Sequence, residues 1–172
     1  MTTKQRFPLE VALPIAQGLA ALLSPHCERI EIAGSIRRQR SDVGDMELLL
    51  IPTVTFDDAL EALIWKGVLA KRPNAKGAYT FGRLNKLMVD VASGIPLDIF
   101  STDARNWGMS LFVRTGPAEW NIKAMTQFRR LGLIGHAYGG ISRGEEEIEC
   151  PEEADVFKWL QWSYVEPKER NA

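Results

Sequence analysis

AGSIRRQRSDVGDMELLLIP, residues Ala33 to Pro52, decides how this chain is read. The run joins a Gly-Ser turn, a cluster of arginines, a second glycine at Gly44, and two carboxylates one residue apart, Asp45 and Glu47. An aliphatic stretch follows them. In a β-strand, residues i and i+2 share a face. Asp45 and Glu47 are therefore expected to project together, with Met46 on the opposite side. Adjacent carboxylates repel unless a cation stands between them. Mg²⁺ prefers carboxylate oxygens together with substrate phosphate oxygens. Upstream, Gly34-Ser35 suits phosphate capture, because glycine permits close backbone approach and amides at a helix start point at an anion. Arg38 offers a bidentate fork for phosphate. For any one of these arginines the alternative is a surface salt bridge. The segment reads as half of a site for metal-assisted phosphoryl transfer.

A third carboxylate completes the half. Asp98 lies within Ile95-Pro96-Leu97-Asp98-Ile99-Phe100, an expected strand of its own. Pairing that strand beside 45–51 would bring Asp45, Glu47 and Asp98 together, where two metal ions about 3.5–4 Å apart could bridge them. Catalysis would then rest on positioning and charge neutralisation. Taken alone, Asp98 is equally well read as a strand-end residue paired with an arginine.

Periodicity organises the rest of the chain. Residues 8–23 and 56–70 carry helical spacing, and 28–33 alternates as a strand does. Residues 71–77 form a basic turn, and 79–83 is expected to pair with 86–90 as a hairpin. Helices are expected over 103–114, 118–131 and 153–161, with short strands and a Gly-rich turn in 133–150. Helices and strands are interspersed without repeats, so the fold class is α+β: a mixed β-sheet flanked by helices, then a small C-terminal α/β lobe.

Bulk composition excludes several classes. No apolar run approaches the roughly 20 residues needed to span a bilayer, and MTTKQRFPLE has no signal-peptide pattern. Two cysteines and two histidines provide neither a disulfide framework nor zinc-ligand spacing. A cytoplasmic, reducing setting is the default expectation. Net charge is −1, yet residues 144–172 hold nine acidic and three basic residues, so the body before them is basic. A basic body suits a phosphate backbone, and the acidic stretch at 145–153 weakens that approach or is simply a solvated loop or hairpin.

GSIRR followed by GDMEL is similar to the GSxRR…GDxD active-site motif of the DNA polymerase X family, the polymerase-beta-like nucleotidyltransferases. LDIF resembles the strand carrying that family's third metal-binding carboxylate. FVRTGPAEWNIKAM resembles its nucleotide-pocket segment. DVFKWLQWSYVEPKERN is similar to the C-terminal end of beta-type enzymes. The resemblance runs from about Arg6 to the end. It implies a palm-like nucleotidyltransferase domain over 1–103 with the metal site, and a thumb-like nucleotide-binding lobe over 104–172. The family's lyase and helix-hairpin-helix domains are expected to be missing. It implies that Asp45, Glu47 and Asp98 hold two Mg²⁺ ions, with Mn²⁺ as a substitute. Ser35, Arg38 and Gly44 would contact the β- and γ-phosphates. Asn121 would touch the incoming base, with Thr115 and Gly116 shaping the pocket floor. A helix cap or a solvated polar residue is the other reading of Asn121.

The activity so implied is addition of dNMP from dNTP to a DNA 3′-hydroxyl, in short-gap filling during DNA repair. The expected partners are dNTP and gapped or nicked DNA, bound weakly and salt-sensitively. The chain is expected to be a monomer working beside a ligase or other repair partner, with a viral or phage source open. The alternatives are template-independent or RNA- or protein-directed nucleotidyl transfer, or a catalytically weak nucleotide- or DNA-binding module serving a partner.

Six residues depart from the family pattern. Glu47 stands where an Asp is usual, which moves the ligand outward by one methylene. Val113-Arg114 replaces residues that are commonly aromatic and help sense the sugar 2′ position. Ile122 and Met125 fall where basic residues contact the template side. Pro96 stands where an arginine often assists the third carboxylate, leaving Arg83 or Lys86 as candidates to reach in. A cis Gly116-Pro117 peptide is also expected, since proline lowers the cis cost to about 0.5–1 kcal/mol.

Overall fold

Leu48, Leu49 and Leu50 are wholly buried, and the strand that carries them is an inner strand of the first unit's sheet. In a computed structural model, residues 5–136, 138 and 140–170 are described. The start of the expected first domain, two positions of the Gly-rich turn and the last two residues of the expected second domain lie outside the described residues. The chain divides into two compact units, Met1–Ser101 and Thr102–Ala172. The class is the expected one, helices around a mixed sheet.

In the first unit, β1 (Phe7–Pro8) leads into α1 (Leu9–Leu23), followed by β2 (Cys27–Ile32), α2 (Gly34–Arg37), β3 (Asp42–Val43) and β4 (Met46–Pro52). Then come α3 (Phe56–Trp65), β5 (Leu69–Lys71), β6 (Asn85–Asp90) and β7 (Pro96–Ser101). Five of the strands form one sheet in the order β2-β4-β7-β6-β5. Only the β4–β7 pair is parallel. Met46, Leu48 and Leu50 from β4, with Leu97 and Ile99 from β7, make one face of this sheet apolar. α1 covers that face through Ala12, Ala16, Leu19 and Leu23, a 4-3-4 spacing that keeps the residues on one helical stripe. Phe56 and Leu60 of α3 join the same core.

Two expected elements differ. The second helix stops at Trp65 rather than at residue 70. Gly67 adopts φ +70°, a left-handed conformation that ends helices, and 69–71 leave as β5. Residues 79–83 pair with 85–87 only locally, with the Gly82 N–H on the Asn85 carbonyl and the Leu87 N–H on the Thr80 carbonyl, both at 2.9 Å. They contribute isolated bridges, Pro73 with Tyr79 and Phe81 with Lys86, while β6 pairs with β5 and β7.

The second unit holds α4 (Trp107–Thr115), α5 (Ala118–Arg130), the small sheet β8 (Ile134–Gly135), β9 (Ile141–Arg143), β10 (Glu146–Ile148), and α6 (Glu153–Leu160). The acidic stretch is partly the β9–β10 hairpin, turning at Gly144 with φ +58°. α4 begins four residues later than expected, because the Asp103 side chain accepts the Asn106 N–H at 3.0 Å and forms a turn instead. Gly108 is required here. A Cβ on it would meet the Glu152 carbonyl oxygen at 2.1 Å. Met109, Phe112, Ala124, Phe128, Val156, Phe157 and Leu160 form the core. Trp120, Trp159 and Trp162 pack against it, with Trp120 and Trp162 edge to face at 5.5 Å.

The C-terminal signature ends in a buried cation. Arg170 is fully inaccessible to solvent. Its Nη1 meets Glu153 Oε1 at 2.6 Å, its Nε donates to the Val165 carbonyl at 3.0 Å, and the rings of Phe112, Phe157 and Tyr164 lie 5.1–5.8 Å away. Glu153 opens α6, where a reciprocal capping box between Glu152 and Asp155 satisfies first-turn amides. Removing one member of such a pair leaves an uncompensated buried charge. Arg170→Met should therefore destabilise the second unit by about 3–5 kcal/mol in urea unfolding. Pairing it with Glu153→Leu should recover most of that loss. A single-substitution cost below about 1 kcal/mol would contradict the buried pair.

Candidate active site

The parallel pairing of β4 with β7 sets the site in the first unit. Glu47 is the register partner of Asp98, and Met46 of Leu97. Strand partners share a face, so Glu47 and Asp98 stand side by side opposite the apolar face. Asp45 lies one residue before β4. Asp45, Glu47 and Asp98 are each half-buried, while Met46 is inside the core.

Gly34 follows β2 and turns the chain with φ +64°. The Ala33 N–H donates to the Glu47 carbonyl at 2.8 Å, which ties the turn to β4. The Glu47 side chain lies directly on Gly34: a Cβ there would meet Glu47 Oε2 at 2.0 Å. The extra methylene of Glu47 thus carries its carboxylate back toward the Gly34-Ser35 turn. Gly34 and Gly44 are buried, and Ser35 and Arg38 are half-buried. The Arg38 N–H donates to the Gly34 carbonyl at 3.2 Å, which keeps the two in one turn.

Each end of the carboxylate row has a basic neighbour. Arg6 Nε donates to Asp42 Oδ2 at 2.7 Å. This bond, with added influence from Asp45, raises the Arg6 pKa, and the same bond lowers that of Asp42. At the other end, Arg72 Nη2 is ion-paired with Asp98 Oδ1, and Arg72 Nε donates to the Met88 carbonyl at 3.0 Å. The reading of Asp98 as an arginine-paired strand residue therefore holds in this structure.

Neither Arg83 nor Lys86 takes that place. Lys86 pairs in register with Ile99 and so belongs to the opposite face. Its Nζ donates to the Gly82 carbonyl at 2.9 Å and approaches Asp57 at 3.3 Å. Arg83 is exposed. With Asp57, Phe81 and Lys86 it lines a cleft of about 420 Å³ at the carboxyl ends of β4 and β7. Arg72 falls in the expected basic turn 71–77, after a helix expected over 56–70. Ending that helix at Gly67 is the signal that places Arg72 after a strand and across from Leu87, the register partner of Asp98.

Among the described residues, no group of three or more His, Cys, Asp or Glu side chains is placed to hold a metal ion. The backbone brings Glu47 opposite Asp98, but the side chains do not gather with Asp45 into one ligand set. The donor chemistry still fits a hard divalent cation: carboxylate oxygens on one face, beside a turn with buried glycines. The positive charge beside Asp98 in this structure is the Arg72 guanidinium.

In the second unit, Thr115 is buried at the end of α4. Gly116 follows with φ +61°, and the Gly116-Pro117 peptide is cis, as expected. Asn121 is half-buried and caps the last turn of α4. Its Nδ2 donates to the Val113 carbonyl at 2.8 Å, stapling α5 to α4 across the turn. Its Oδ1 is buried with no hydrogen-bond partner among the described residues. A buried polar atom of this kind calls for a partner such as a ligand or an ordered water. Arg114 lies over the Tyr138 ring at 4.5 Å, so the Val113-Arg114 pair offers a guanidinium stacked on an aromatic.

The family model described as DNA polymerase beta thumb matches residues 110–171. This span includes Thr115, Gly116 and Asn121 and ends past the buried Arg170. No curated protein matches the chain.

Gly34→Ala should destabilise the first unit by about 1–3 kcal/mol from the positive φ alone. The clash with Glu47 adds to that. In a Glu47→Ala background the cost should shrink toward the φ contribution. Thermal or urea unfolding of the four-member cycle measures this, and strict additivity would show that Glu47 does not sit on Gly34.

Proposed function

We propose that the chain is a nucleotidyltransferase of the polymerase-beta type that adds dNMP from dNTP to a DNA 3′-hydroxyl, filling short gaps in DNA repair. The observation that carries this is the in-register opposition of Glu47 and Asp98 on adjacent parallel strands, beside the Gly34-Ser35 turn. The likeness of residues 110–171 to a polymerase thumb supports the polymerase family and contact with DNA. Among the described residues no helix is long and apolar enough to cross a membrane.

In this reading the first unit handles the phosphates. Asp45, Glu47 and Asp98 hold Mg²⁺, or Mn²⁺ in its place. The metal supplies charge neutralisation of the triphosphate and activation of the attacking hydroxyl. Ser35, Arg38 and Gly44 orient the β- and γ-phosphates through turn amides and a guanidinium. To act as a ligand Glu47 would have to leave Gly34, which would free the turn for phosphate oxygens. Asn121, with its buried Oδ1 and remaining amide proton, and Thr115 and Gly116 keep the nucleotide-contact roles that the family resemblance gives them.

A second reading is favoured by one observation. The three carboxylates do not form a ligand cluster, and Arg72 neutralises Asp98. A nucleotide- or DNA-binding module serving a partner enzyme would look the same.

Primer extension on a gapped duplex with Mg²⁺ or Mn²⁺ separates the two. The wild type should incorporate dNMP. Asp98→Ala should reduce the rate at least about 100-fold, equivalent to about 2.7 kcal/mol of transition-state stabilisation. Equal silence of wild type and variant with all four dNTPs would overturn the polymerase reading. Glu47→Asp, which cannot lay its carboxylate on Gly34, should raise incorporation at limiting Mg²⁺. A clear loss there would count against Glu47 as the weak ligand.

A further inference from the structure

β2 stands at one end of the five-stranded sheet. It pairs with β4 on one side, and among the described residues no strand or isolated bridge pairs with its other side. The opposite edge strand, β5, has only three residues, whereas β2 has six. The Ala33 N–H donates to the Glu47 carbonyl at 2.8 Å, so Ala33 and, by alternation, Glu31 turn their main-chain groups toward β4. The N–H and carbonyl of Ile30 and of Ile32 therefore point outward, to the open edge. Ile30 and Ile32 are only half-buried, although Leu50 and Leu48, their partners on β4, are wholly buried. Ile32 also joins Leu9, Leu13 and Ile36 in the apolar wall of a groove of about 550 Å³. An open row of donors and acceptors beside uncovered apolar surface is a template for another strand.

The charges on β2 decide which strand fits. Arg29 and Glu31 lie across from Ile51 and Leu49, on the face opposite Ile30. Consider two β2 strands paired antiparallel about Ile30. Ile30 then meets Ile30 as a hydrogen-bonded pair, and Arg29 of each copy stands directly across from Glu31 of the other. Those charged residues form non-hydrogen-bonded pairs, in which side chains approach more closely. Moving the centre by one residue sets Arg29 against Arg29 or Glu31 against Glu31, and like charges directly opposite are destabilising. Of these registers, the one centred on Ile30 alone satisfies both backbone and charge. The bulge between Cys27 and Arg29 bounds the pairing at its far end.

We propose that two copies of this chain associate through β2, antiparallel about Ile30, so that their five-stranded sheets join into one. This replaces the expected monomer and is independent of the metal and nucleotide roles. A strand pair with its flanking groove falls below the area of a permanent interface, so the dimer is weak, with Kd on the order of 10 µM.

Sedimentation velocity of the full chain from about 1 to about 200 µM, a range chosen to bracket that Kd, tests the proposal. The wild type should pass from monomer to dimer. Glu31→Arg leaves only arginines at the two charged positions of this face, and Arg29→Glu leaves only glutamates. Each variant alone should associate at least about 30-fold more weakly than wild type. Mixed one to one, the two variants are complementary and should dimerise within about threefold of wild type. A substitution that merely damaged the fold would not be rescued by mixing. A wild type that stays monomeric throughout, single variants that dimerise like wild type, or a mixture that stays monomeric would each overturn the proposal. Amide exchange on the wild type, followed by NMR, does not depend on how the variants fold. The Ile30 amide should gain protection as concentration rises, while the Ala33 amide, bonded to Glu47 within one copy, should be protected at every concentration. Exchange at Ile30 that does not change with concentration overturns the β2 interface.

Discussion

The parallel pairing of β4 with β7 is the constraint on which the first unit depends. Strand side chains alternate, so one register decides two things at once. Met46, Leu48 and Leu50, with Leu97 and Ile99, turn toward α1 and α3. Glu47 and Asp98 turn the other way and face each other. A slip of one residue would turn both carboxylates into the core beneath α1. Hydrophobic burial, worth about 25 cal/mol per Å² of apolar surface, therefore enforces a juxtaposition of like charges that electrostatics alone would oppose.

That juxtaposition is relieved locally in two ways. The Glu47 side chain lies on Gly34. Asp98 takes the Arg72 guanidinium. The same two contacts separate the carboxylate row from a ready ligand set. Under the proposed function, metal and phosphate contacts would have to replace both. The second unit is built differently. A buried Arg170–Glu153 pair ringed by aromatics holds α6, and the Asn121 staple holds α5 against α4. Its likeness to a polymerase thumb extends from α4 through that arginine.

Much of this was legible in the residues. The Leu48–Leu50 run announced a strand buried on both faces, and the Asp45/Glu47 spacing announced a shared face. The TGP turn announced the break between α4 and α5. The extent of α3 was not legible. Val68, Leu69 and Ala70 continue the helical pattern, and only the positive φ of Gly67 and pairing with distant β6 turn them into a strand. Tertiary pairing overrode local propensity there. The resting conformer of Glu47 was also invisible, because its contact with Gly34 is a rotamer choice rather than a pattern. The burial of Arg170 lay beyond reach for a similar reason. Its partner is 17 residues away, and an arginine near a chain end ordinarily reads as solvated.

The central claim is that the face shared by Glu47 and Asp98 holds divalent metal together with nucleotide phosphates. Crystals of the chain soaked with Mn²⁺ and a non-hydrolysable dNTP, measured at the manganese absorption edge, test it most directly. The account predicts an anomalous peak within coordination distance of the Asp98 and Glu47 carboxylates, with the Glu47 side chain lifted from Gly34. Nucleotide bound elsewhere, or no peak at these carboxylates with Glu47 still on Gly34, would contradict it.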